Sequence, residues 1–196
     1  DGYPWLRQPD GTEMPYDLVT IASGVNSNLL GQLRGVVPDG RPRTTRTYIC
    51  EFKSTPEAIQ ERLGRAMHVF LLDIPRLEFA ALIPKGEYIT MCLLGDDLDQ
   101  DLVHRFLRAP EVQRLLPDGA APAVCTCSPL INVDGLAEPF ADRLLLIGDS
   151  GVTRLYKDGI GAAFRTSKAA AVAAVLHGVS KAALAHAYGP ACRTIA

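Results

Sequence analysis

The stretch Gly148-Asp149-Ser150-Gly151 holds the residues of this 196-residue chain best placed to do chemistry. It follows Leu144-Leu145-Leu146-Ile147, an all-apolar run that reads as a strand buried on both faces. A carboxylate at the carboxyl end of such a strand stands where open sheets bind ligands. Asp149 could there accept hydrogen bonds from the hydroxyls of a sugar or a ribityl chain. It could equally cap a turn, because Gly-Asp-Ser-Gly is good turn chemistry. A little further on, Gly159-Ile160-Gly161 opens an alanine-rich helix read over residues 162–176. Glycines at a helix entry let a planar ligand approach the backbone closely. The free N–H groups and the positive end of the dipole favour an anionic or electron-rich acceptor. A plain buried helix with a glycine entry has the same appearance, but strand, Gly-Asp, small-residue loop, Gly-x-Gly and helix in this order is a less common combination.

Other reactive residues are less well arranged. Ser150 lies in a Gly-Asp-Ser-Gly loop, yet Val152 breaks the G-x-S-x-G elbow pattern and the sequence places no histidine beside it. His68, His104, His177 and His186 share no ligand spacing, and His177 falls at a helix end where it suits terminal carbonyls. Asp96, Asp97, Asp99 and Asp101 lack the glycine and terminal glutamate of a calcium loop and read as a solvated helix start. The five cysteines, at 50, 92, 125, 127 and 192, contain no CxxC pair; Cys125 and Cys127 would share one face of a strand with no second pair to complete a zinc site. They read as reduced thiols, and no metal site is expected. Lys157 and Asp158 precede the glycines and could tune a site there or form a surface pair.

The elements that must carry these residues fall into two kinds. Pro9-Asp10-Gly11 marks a hairpin, and Leu18-Val19-Thr20-Ile21 a strand ending in a small-residue loop. The stretch 31–42, rich in glycine and proline, reads as irregular. From Thr44 the character changes: a β-branched and aromatic run to Phe52 leads to a short helix with Thr55 as cap and Pro56 as first residue. Three β-like runs follow, at 67–73, 77–83 and 88–94, the last two joined by Pro84-Lys85-Gly86-Glu87. Strands in direct succession indicate an antiparallel sheet. Leu98, Leu102, Phe106 and Leu107 predict a helix within 97–116, split at Pro110, and residues 123–128 read as a further strand.

Composition sets outer bounds. Twenty basic against twenty-two acidic residues leave a net charge of −2, which argues against a dedicated surface for nucleic acid or anionic lipid. With 47% hydrophobic and 21% charged residues the chain is not globally disordered. Its longest apolar run, Ala169 to Leu176, is mostly alanine and far short of the roughly twenty residues of a membrane span. No signal peptide is visible, so a cytoplasmic location is expected. The start at Asp1, with residues that read as the middle of a fold, predicts a piece of a longer protein.

The run from Gly148-Asp149-Ser150-Gly151 to Gly159-Ile160-Gly161 resembles the second FAD-binding motif of flavoproteins in the p-hydroxybenzoate hydroxylase and geranylgeranyl reductase superfamily. Asp17-Leu18-Val19-Thr20-Ile21-Ala22-Ser23-Gly24-Val25-Asn26-Ser27 is similar to that family's central motif, DLVIGADGxxS, with Ser23 at its aspartate and Ile21 at its glycine. Ile83-Pro84-Lys85-Gly86 resembles the Phe-Pro-Lys-Gly turn of geranylgeranyl reductases, and Tyr156 replaces a proline usual before the second glycine pair. The resemblance implies an α+β fold. A mainly antiparallel substrate domain, 44–130, would be inserted into an FAD-binding domain made of 1–30 and 131–196. It implies that Gly148 and Asp149 meet the ribityl chain of FAD and that Gly159, Ile160 and Gly161 lie against the pyrimidine edge of the ring. A helix N-terminus there favours negative charge.

The expected activity is a flavin-dependent oxidoreductase, of dehydrogenase, reductase or monooxygenase type. It would pass hydride or electrons to an apolar or aromatic small molecule, with NAD(P)H admitted as donor and the sheet domain shaping the substrate cavity. No acid, base or nucleophile is marked. The family's amino-terminal GxGxxG unit has no counterpart here, so these residues alone are expected to bind little FAD and to be inactive. Two alternatives stay open: a non-catalytic module of the same fold that has lost FAD, and a hydrolase using Ser150.

Overall fold

A computed structural model describes residues 2–38, 40–118, 121–153 and 159–195, with 121–125 described by backbone alone. β1 (Trp5–Arg7) and β2 (Glu13–Pro15) pair antiparallel, Leu6 opposite Met14. Asp10 accepts the Thr12 N–H at 2.9 Å in the expected turn. After β3 (Val19–Ile21), Ser27 caps a 3-10 helix, Asn28–Leu33, by accepting the Leu29 N–H. The stretch expected to be irregular therefore starts within a helix. A serine cap was its only local signal.

The β-branched run divides into β4 (Arg43–Arg46) and β5 (Tyr48–Lys53). Between them the buried Thr47 donates both its N–H and its hydroxyl to the Pro129 carbonyl. Helix α1 (Pro56–Leu63) forms as its first residues dictate, with the Thr55 hydroxyl accepting the Ala58 N–H and Ile59 and Leu63 buried. β6 (His68–Phe70) is shorter than its apolar run because the chain leaves the sheet at once: Ile74 bonds back to Leu72, and Arg76 takes φ 72°. β7 (Leu77–Lys85) and β8 (Tyr88–Gly95) make the predicted hairpin, Lys85 opposite Tyr88. Asp99 caps α2 (Gln100–Arg108), and Pro110 starts α3 (Pro110–Gln113) as a separate turn.

β9 (Ala121–Cys127) and β10 (Leu130–Asp134) lead to the short strands β11 (Phe140–Ala141) and β12 (Leu144–Leu146). A 3-10 turn, Gly148–Ser150, follows, and then α4 (Gly159–Val172), which widens into a π-helical turn at Ala173–His177. Gly159 and Gly161 thus form the first turn of the helix itself, not a loop ahead of it. Two further helices, α5 (Lys181–Ala187) and α6 (Gly189–Ile195), close the described chain; Ser180 caps α5 by accepting the Ala183 N–H.

The chain divides into two compact units, Asp1–Thr44 with Ile131–Ala196, and Thr45–Leu130. The second is an antiparallel five-stranded sheet in the order β6-β7-β8-β5-β9. Phe52, Leu82, Ile89, Met91 and Leu93 pack with Leu102, Val103 and Phe106 of α2 into its core. The first holds the sheet β11-β12-β3, whose core joins Phe140 and Leu145 to Ala162, Leu184, Tyr188 and Cys192 from the helices. An antiparallel sheet in one unit, a small mixed sheet in the other and flanking helices make this an α+β fold.

Candidate functional site

Of the apolar run before Gly148, Leu144–Leu146 form a strand with every residue buried, as the composition predicts, and Ile147 is partly buried. β12 runs antiparallel to β11 and parallel to β3, Leu144 beside Val19 and Leu146 beside Ile21. The ladder ends when the Ile147 N–H reaches the Ile21 carbonyl at 3.0 Å. Gly148 then takes φ 59°, a conformation L side chains rarely adopt, and a Cβ there would sit 3.1 Å from that of Ala163. At Gly151 a Cβ would meet the Leu146 carbonyl oxygen at 2.8 Å. Both glycines are sterically required, so the Gly-Asp-Ser-Gly turn follows from its own residues.

The turn presents Asp149 half-buried at the carboxyl end of the parallel pair. Burial holds its carboxyl above the usual carboxylate range, and the backbone N–H groups of Val25 and Asn132, which donate to it, act in the opposite direction. The Asn132 amide returns the contact, donating to the Asp149 backbone carbonyl at 3.1 Å. A carboxylate offers about four lone-pair directions. Two donors among the described residues leave lone pairs that could accept from ligand hydroxyls. The exposed Arg41 guanidinium donates to the Val25 carbonyl at 2.8 Å.

Ser150 has a structural use. It is fully buried, and its hydroxyl accepts the Gly24 N–H at 2.7 Å, tying the loop after β3 to the turn. That oxygen is buried, and among the described residues no hydrogen bond directs it at a histidine, which is the opposite of what a nucleophile needs.

Helix α4 buries Ala162, Thr166 and Ala170 on one face, with Ala173 continuing that face in the π turn. The buried Thr166 hydroxyl accepts the Gly148 N–H at 2.8 Å and donates to the Ala162 carbonyl at 2.7 Å. The strand tip and the helix therefore meet at Gly148, Ala163 and Thr166. Gly159 and Ile160 lie at the exposed start of the same helix, about 6 Å of helical rise before Ala163. Ile160 is 90% exposed, and a Cβ on Gly159 would meet nothing within 4 Å. Gly161, half-buried, faces neither extreme. The first-turn N–H groups of α4 have no acceptor within the helix. A first turn exposed at Gly159 and Ile160 and a half-buried carboxylate suit a ligand with a hydroxylated chain and a flat, electron-accepting ring, as FAD has.

The sequence singled out Gly148, Asp149, Gly159, Ile160 and Gly161, and these all lie on this turn and helix. It missed Val25, Asn132 and Thr166. Only Thr166 carried a signal, a polar residue four positions from Ala162 and four from Ala170 on an alanine face. Tyr156, Lys157 and Asp158 lie outside the described residues, as does the side chain of Cys125. His177 stands against the ring of His186, centroids 6.2 Å apart, and not against a helix carbonyl in any hydrogen bond among the described residues. Among the described residues no group of three or more His, Cys, Asp or Glu could hold a metal, and no helix is long and apolar enough to cross a membrane.

No protein-family model matches this sequence, and no curated protein sequence matches it. Solved structures do match its fold. BrvH, a flavin-dependent halogenase from Brevundimonas sp. BAL3, superposes with TM-score 0.67 at 16% identity, over 97% of this chain and 38% of its own. Klebsiella pneumoniae HpxO, solved with FAD and uric acid, gives 0.60 at 20% identity, over 95% and 50%. MibH, a lanthipeptide tryptophan 5-halogenase, gives 0.59 at 14% identity, over 97% and 34%. This chain thus spans half or less of the length of each of these three. At such identities the likeness is one of fold, and the fold is that of a portion of flavin-dependent enzymes.

Proposed function

We propose that this chain is the central and carboxy-terminal portion of a cytoplasmic, FAD-dependent oxidoreductase of the geranylgeranyl reductase and p-hydroxybenzoate hydroxylase superfamily. The observation that carries the reading is the joint at Gly148, which ties the turn bearing Asp149 to Ala163 and Thr166 of α4. Asp149 would accept hydrogen bonds from the ribityl hydroxyls. The backbone of Gly159, Ile160 and Gly161 would lie against the ring, where the helix dipole favours negative charge. Bound there, FAD supplies the hydride or electron transfer, and this chain's residues bind and orient it.

The substrate of the full-length protein would be an apolar or aromatic small molecule, in line with the uric acid bound to HpxO. NAD(P)H is a suitable donor in chemistry of this class. The test is the visible spectrum of the purified full-length protein, with and without Asp149→Ala. Flavin bands that weaken or vanish in the variant support the reading. A colourless wild-type protein favours instead a module that kept the fold and lost the cofactor.

A further inference from the structure

We propose that Thr166 is a positioning residue, whose hydroxyl locks the Gly148-Asp149 turn to α4 so that carboxylate and helix start face one ligand in a fixed relation. The inference rests on the flavin reading above for what the ligand is, and on the geometry of this chain for the lock itself. Thr166 is completely buried, on a helix face whose other buried residues are the alanines 162 and 170. Threonine is a poorer helix former than alanine, so its place on that face calls for a reason besides propensity.

The reason is on the other side of the joint. The parallel ladder stops at Ile147, and the positive φ of Gly148 turns the next N–H out of the sheet and toward the helix. That N–H lies in the interior, where an unmatched donor is costly. The Thr166 hydroxyl meets it at 2.8 Å. A hydroxyl has one proton to give and two lone pairs to accept with. Thr166 gives its proton to the Ala162 carbonyl at 2.7 Å, with the Ala163 carbonyl also near at 3.2 Å, which aims a lone pair at Gly148. The missing side chain of Gly148 lets Ala163 close in from the same helix, so one hydrogen bond and one steric contact fix the joint together. Upstream, the buried Tyr188 hydroxyl donates to the Leu146 carbonyl at 2.7 Å and holds the strand end from a third element. The Asp149 carboxylate is one residue beyond the lock, and Gly159 two helical turns before it. Freed from Thr166, the turn and the helix could shift against each other.

The lock is tested on the full chain by amide hydrogen exchange at Gly148, with Ile147 as the neighbouring reference, and by NMR titration of the Asp149 carboxyl. Thr166→Val keeps the shape and removes both roles of the hydroxyl, and Thr166→Ser keeps them. If the valine variant does not fold, Thr166→Ala removes the same hydroxyl with less bulk. Exchange at Gly148 should rise about five- to tenfold relative to Ile147 without the hydroxyl, the scale of one lost hydrogen bond. The Asp149 carboxyl should titrate closer to its ordinary value as the turn takes on water. Serine should restore both readouts. Gly148 exchange that keeps pace with Ile147 in every variant overturns the proposal. The flavin reading has its own test in Asp149→Ala, so its failure leaves the exchange result untouched.

Discussion

Gly24 donates its backbone N–H to the Ser150 hydroxyl at 2.7 Å, a bond that joins positions 126 residues apart. It fixes the loop after β3 to the turn after β12, and with it the Val25 N–H that supports Asp149. Replacing Ser150 by alanine leaves a donor without its partner and should cost about 1–2 kcal/mol of stability by urea unfolding. The same buried hydroxyl should resist a serine-directed phosphonate in the native protein. Labelling of Ser150 would restore the hydrolase alternative.

Asp149 makes the turn sensitive to pH. Burial raises its carboxyl above the ordinary value, so the folded state binds a proton more readily than the unfolded chain does. The ionised carboxylate therefore opposes folding at neutral pH. That penalty lifts as pH falls from neutral through the raised value, and the gain levels off below the ordinary 3.8. Asp149→Asn should be the more stable protein at pH 7, and its denaturation midpoint should lack this rise between neutral pH and about pH 4. Parallel pH profiles for the two proteins would contradict the burial argument.

Gly148 should tolerate no side chain. Alanine there must hold a positive φ and press its Cβ to 3.1 Å of the Ala163 Cβ. A loss of about 1–3 kcal/mol is expected from strain and crowding together. Gly159→Ala is the control: that site is helical and has open space around it, so its thermal midpoint should stay near or above wild type.

Tyr188→Phe removes the buried hydroxyl that holds the Leu146 carbonyl. Burial pushes this phenol far up, so it stays protonated across the working range and its loss should carry no pH signature. The expected cost is about 1–2 kcal/mol, the same at pH 6 and pH 9 in chemical denaturation. A pH-dependent difference would mean that the hydroxyl ionises.

The parts of the fold that were legible in the sequence were those written locally. Thr55 and Pro56 announce α1, Pro110 divides α2 from α3, and Lys85 with Gly86 turns β7 into β8, because caps, ring constraints and tight turns act over a few residues. Leu144–Leu146 announces a buried strand by composition alone. The partners of Asp149 were not legible. Val25 and Asn132 reach it through backbone N–H groups, which every residue type but proline carries, so no side-chain pattern marks them. Helices α5 and α6 were missed for a related reason. Their alanine and glycine content sets no strong periodicity, and packing around Tyr188 and Cys192 holds them.

The central claim is that the Asp149 carboxylate and the first turn of α4 hold one flavin between them. A crystal structure of the full-length protein grown with FAD tests this most directly. The account predicts a ribityl hydroxyl within hydrogen-bond distance of Asp149 and the ring edge against the backbone of residues 159–161. FAD bound elsewhere, or bound with Asp149 turned away from it, would contradict the account.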